Sequence, residues 1–151
     1  MQWTRKDLSL YIKEKEYIDT LIIPLIPFNP ASDSNVTKEA FQRELNQLFT
    51  HLLEKEYRGR IIVSPEYDYI TGSNETEVRR INQWVESFQS QPLSHVFLFT
   101  FDPKWKKWEQ ELKGQLLWIP SMNERDLHSS ETKSFVKEQV SQISELITAY
   151  W

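Results

Sequence analysis

The chain has 151 residues, 39% of them hydrophobic and 26% charged, with a formal charge of −4 and a pI near 5.4. Those values predict one soluble globular domain over 1–151, large enough to remove about two-thirds of its unfolded surface from water. They argue against a disordered chain and against the basic face that nucleic-acid binding needs; the lack of cysteine excludes disulfides, thiolate metal sites and cysteine nucleophiles.

The opening Met1-Gln2-Trp3-Thr4-Arg5-Lys6-Asp7 has no apolar core of the kind a signal peptide carries, so a cytoplasmic protein is expected. A helix over about 6–15 buries Leu8 and Ile12. Residues 18–26 form a near-continuous β-branched run, the pattern of a strand covered on both faces. The apolar stretch 21–28 is too short to span a bilayer, and no membrane partner is expected. Pro24 and Pro27 cannot donate to a ladder, so the regular part of this strand is predicted to end near Pro24. A turn-rich loop, 29–35, follows.

From Thr37 the spacing is helical, with Phe41, Leu45, Leu48, Phe49, Leu52 and Leu53 on one stripe and Gly59 placed for its C-terminal cap. Residues 61–63 predict a second buried strand, and 64–72 read as a loop. Asn74-Glu75-Thr76-Glu77 has capping-box spacing with Asn74 as N-cap, before a stripe of Val78, Ile81, Trp84, Val85 and Phe88. A third strand, 95–101, ends at Asp102-Pro103, an N-cap followed by proline at the first helical position. Trp105, Trp108 and Leu112 share the face of the short helix that follows. Residues 116–119 give a fourth strand, and a last helix starts near Ser129 or Ser130, burying Val136, Val140, Ile143, Ile147 and Tyr150. The expected fold is α/β: a three-layer αβα, doubly wound arrangement of four parallel strands with an extra N-terminal helix. Strand order 2-1-3-4 is preferred and 3-2-1-4 is the alternative.

Ligands of such sheets bind outside the carboxyl ends of the strands. The loops converging there carry the candidate catalytic carboxylates Glu66, Asp68 and Asp102 and the candidate ligand-binding residues Asn29, Asp33, Tyr67 and Lys104. A close carboxylate pair can divide into acid and base. Each also has a plainer role: capping for Asp102, turn chemistry for Asp33, and solvation of an exposed loop for Glu66 and Asp68. Only three glycines occur, none in the first strand–helix loop, so the phosphate-cradling motifs are absent and a nucleotide-loop enzyme is not expected. His51, His95 and His128 lack metal-ligand spacing, and Ser64 lacks the glycines of a nucleophile elbow. No cofactor and no metal are called for. In Asp102-Pro-Lys-Trp-Lys-Lys-Trp, interleaved lysine and tryptophan suit either a nucleic-acid or membrane surface or, as favoured here, indoles packed inward beneath solvated lysines. Abundant Trp and Tyr favour a non-catalytic binding domain for a protein partner or small molecule. An enzyme using the strand-end carboxylates on a nucleoside- or sugar-like molecule is the alternative.

The pattern Trp3-x-x-Lys6-Asp7-x-x-x-Tyr11, the run Tyr17-x-Asp19-Thr20-x-Ile22-Ile23-Pro24-Leu25-Ile26-Pro27, and the length with its Trp-rich later half resemble the YpiF-like family, short uncharacterised proteins of Bacillus-type bacteria. The resemblance implies a cytoplasmic protein of a Gram-positive organism. It supplies no activity, cofactor or site residue.

Overall fold

A strand flanked on both sides and covered on both faces needs a run of apolar, β-branched residues. In the computed structural model, which describes residues 1–151, that run is β1 (Thr20–Phe28), buried along all but its last residue. Around it lie α1 (Arg5–Glu14), α2 (Asp33–Glu56), β2 (Ile61–Val63), β3 (Tyr67–Ile70), α3 (Asn74–Ser87), β4 (His95–Thr100), a 3-10 helix (Pro103–Trp108), β5 (Gln115–Trp118) and α4 (Ser130–Thr148). Every strand pair is parallel; the order is β2-β1-β4-β5, with β3 also paired to β1. The fold is thus α/β with a parallel sheet, but it has five strands where four were expected.

The fifth strand follows from the prolines of β1. Backbone bonds from Thr20 N to Arg60 O, Ser64 N to Ile22 O and Thr71 N to Phe28 O turn the even-numbered residues of β1 toward β2 and β3. The bond from His95 N to Asp19 O turns the odd-numbered ones toward β4. The N–H that Pro24 lacks would therefore point at Ser64-Pro65-Glu66, the break between β2 and β3. The one that Pro27 lacks would point past β4, whose register with β1 stops at Pro24↔Phe99. Neither proline costs the ladder a bond. The predicted end near Pro24 is therefore corrected: β1 continues to Phe28, and residues 67–70 of the expected loop pair with it as β3.

Alternation along β1 builds two cores. Ile22 faces α2 and α4, packing with Phe41, Leu45, Phe49 and Leu53 of the first and Val136, Val140, Ile143 and Ile147 of the second. Leu21, Ile23 and Leu25 face Tyr11 of α1, Ile81 of α3 and Trp105. Each aliphatic side chain so buried contributes about 1.5–3 kcal/mol relative to exposure. At the β2 edge, Val63 N donates to Met1 O at 2.8 Å, and the Met1 ammonium sits 3.0 Å from the buried Glu54 carboxylate. No helix is long and apolar enough to cross a membrane.

Two helix starts differ from expectation, and one helix differs in type. The Ser32 hydroxyl accepts from Asn35 N, so α2 begins at Asp33, four residues before Thr37. Ser73, not Asn74, holds the N-cap position of α3, because the Asn74 side chain turns inward to Asp102. The segment after Asp102 is a 3-10 helix; its three-residue turn sets Trp105 and Trp108 on one ridge. Trp105 is fully buried, and the Lys106 ammonium lies over the Trp118 ring, 3.4 Å from its centroid.

Candidate functional site

Asp102 is the centre of a buried polar cluster at the carboxyl end of β4. Its Oδ2 accepts from the Tyr69 hydroxyl at 2.7 Å and from Asn74 Nδ2 at 3.2 Å, and its Oδ1 accepts from Lys104 N at 3.0 Å. Trp105 Nε1 donates to the Tyr69 oxygen at 2.8 Å, and Asp102 N donates to the Thr100 hydroxyl at 2.9 Å. Burial and the adjacent carboxylate push the Tyr69 hydroxyl far above its ordinary pKa, so it remains a donor. One side chain thus caps the 3-10 helix, anchors β3 and fixes the start of α3. The capping role read from Asp102-Pro103 is the observed one.

Glu66 and Asp68 lie on the other side of β3. Strand alternation sends Tyr67 and Tyr69 toward α3 and leaves Asp68 and Ile70 outward. Glu66 is clamped from α2: Arg43 Nε donates to it at 2.9 Å, the Arg43 Nη2 closes a bidentate pair, and Gln47 Nε2 donates at 3.2 Å. Asp68 has no such clamp. Burial and then the neighbouring Glu66 charge raise its pKa above the ordinary carboxylate value, against the pull of Arg43. Glu66, Asp68 and Asp102 are therefore not gathered into one cluster; nowhere do three carboxylate or histidine side chains converge as a metal site would require.

What the fold does assemble is a groove of about 470 Å³ between the ends of β1 and α2, lined by Phe28, Asn29, Val36, Arg43 and Asp68 among others. Phe28, Val36 and the neighbouring Ile70 are each close to half exposed, an apolar rim beside an Arg–Glu pair and an acid. Asn29 lies in the groove, with its side chain accepting from Ala31 N in a local turn. Asp33 is exposed in the first turn of α2, and Lys104 is exposed at the 3-10 helix. Tyr67 is buried away from the groove, its hydroxyl donating to Glu77 and its ring edge-on to Trp84 at 5.2 Å.

A smaller crevice of about 240 Å³ lies where strand order reverses, between β1 and β4, and includes Asn35, Lys38, Thr71 and Asp102. Glu39 lines both spaces; one of its oxygens accepts from the Thr71 hydroxyl at 2.8 Å and the other is buried without a partner. Sequence reasoning missed Arg43, Glu39 and Val36 of α2: Val36 precedes the helix start expected at Thr37, and Glu39 and Arg43 lie off the apolar stripe. The signal available was the Ser32 cap, which brings the start of the helix up to the strand ends.

The comparisons give the chain relatives but no activity. A family profile described as "Protein of unknown function (DUF2487)" matches residues 9–151. The chain is 28% identical over 151 residues to "Uncharacterized protein YpiF" of Bacillus subtilis (strain 168), covering 100% of this chain and 98% of that protein. No solved structure matches.

Proposed function

The chain belongs to the DUF2487 family of proteins of unknown function, and from that premise we propose that it is a cytoplasmic, non-catalytic binding domain whose partner docks in the groove at the carboxyl rim of the sheet. The observation that carries this reading is the contrast at that rim. Asp102 and Glu66 already have structural partners, whereas Phe28, Val36 and Ile70 are left exposed around a concave floor. Apolar side chains held on rigid elements, with a few polar groups at the edge, are what a binding pocket of this size uses for affinity and orientation. The favoured occupant is a protein segment or small molecule that offers an apolar group to Phe28 and Val36, and is neither nucleic acid nor a membrane surface.

One observation favours the enzyme alternative. Asp68 has a pKa raised by burial and by Glu66, and it borders the groove beside an arginine, as a general acid would. A photo-crosslinking residue placed at Val36 separates the two readings when combined with a thermal-shift screen. A discrete adduct in cells, lost with Phe28→Asp, is expected of a binding domain. Stabilisation by a nucleoside, sugar or divalent ion that disappears with Asp68→Asn, with no adduct, supports the enzyme instead.

A further inference from the structure

α2 and α4 lie side by side on one face of the sheet, and both run toward its amino end, where Trp151 Nε1 donates to the Thr20 hydroxyl at 2.8 Å. Ser144 donates to Glu56 at 3.3 Å, which sets the two helices in register and puts Leu52 level with about Ser141. Between them runs an open groove of about 710 Å³ with Leu48, Leu52, Val136 and Val140 along its floor. The charges that line it are sorted by position. Lys133 and Lys137 occupy the end nearest the carboxyl rim, and Glu56 and Glu145 the opposite end.

We propose that this groove is a homodimer interface, occupied by the same groove of a second copy of this chain. The sorted charges select that occupant. A two-fold axis lying across both helices at the level of Leu52 and Ser141 reverses the second copy's groove. Lys137 then faces Glu145 and Glu56 of the second copy, and the reverse pairing repeats beyond the axis. The apolar floors of the two copies meet at the centre, and Ser141, small and exposed on α4, allows the helices to approach closely. A parallel arrangement would set lysine on lysine and is disfavoured. At 1.5 Å per residue the 19 residues of α4 span roughly 28 Å. Two helices side by side are about 20 Å across, so the flat footprint is roughly 560 Å², to which side-chain relief adds, against the ~800 Å² per partner that standard interfaces bury.

The test is native mass by light scattering for the wild type, Lys137→Glu, Glu145→Lys and the double variant Lys137→Glu/Glu145→Lys. Both positions are exposed, and circular dichroism verifies that each variant is folded. A wild-type dimer is expected, with each single reversal weakening it at least about tenfold, because every substitution acts at two symmetric contacts. The double variant restores the dimer by exchanging the signs. A monomeric wild type, or a dimer indifferent to the single reversals, overturns the proposal.

Discussion

The Tyr69 hydroxyl donates a hydrogen bond to Asp102 at 2.7 Å while its oxygen accepts one from the indole N–H of Trp105 at 2.8 Å. β3 is thereby tied at one buried point to a segment more than 30 residues later, the end of β4 and the 3-10 helix that follows it. Asp102, placed where a catalytic carboxylate of an α/β sheet is often found, thus has both carboxylate oxygens engaged by structural donors.

Removing that hydroxyl leaves two buried polar groups short of a partner. Tyr69→Phe is expected to cost about 2–3 kcal/mol of unfolding free energy. Asp102→Ala is expected to cost at least as much, because Tyr69, Asn74 and Lys104 N all lose their acceptor. Urea unfolding measures both. A loss under about 0.5 kcal/mol, the range of an ordinary surface change, would remove the structural role given to Asp102.

Acid stability reports on a second tie. Burial raises the Asp19 pKa, but hydrogen bonds from Arg60 and Thr20 outweigh it and bring the group below its ordinary 3.8. Arg60 also stacks on Trp151, 3.7 Å from the ring centroid. Because the folded value is depressed, this contribution is fully present above 3.8 and is lost as pH falls through the folded value. It is at most about 1 kcal/mol, since solvent reaches both partners. Asp19→Asn should therefore lower stability at pH 6, and the difference from wild type should vanish near pH 2. A difference unchanged across that range would contradict the pairing.

Asp68 shows the opposite sign. Its folded pKa is raised, so the fold gains stability as pH drops toward and below that value and lacks it above. Carboxyl titration followed by NMR should show the Asp68 value rise further in Arg43→Met and fall in Glu66→Gln. Asp68→Asn should slightly stabilise the protein at neutral pH. No movement in either background would mean that Asp68 does not feel the Arg43–Glu66 pair.

Much of the scaffold could be read from residue pattern. The β-branched runs, the i, i+4 stripe of Phe41, Leu45, Phe49 and Leu53, and the Ser129 cap all sit where spacing placed them. What escaped was non-local. A proline in a strand reads as a stop, and only the position of the break between β2 and β3 makes Pro24 harmless. The alternation Tyr67-Asp68-Tyr69-Ile70 did carry a strand signal, but the turn residues around it masked it. The candidate residues do lie toward the carboxyl end of the sheet, yet sequence could not show that β3 sends Tyr67 and Asp68 to opposite faces. Nor could it show that Arg43, one helix away, would reach Glu66.

The most direct test of the binding account is affinity capture from host cells using paired variants. One pair, Glu66→Gln/Asp68→Asn, neutralises the rim acids without changing their shape. The other, Phe28→Asp/Val36→Asp, places charge on the apolar edge of the groove. The account predicts that one partner is recovered with the wild type and the acid-neutralised protein and is lost with the charged-edge protein. Recovery with the charged-edge protein, or loss only when the acids are neutralised, would contradict it.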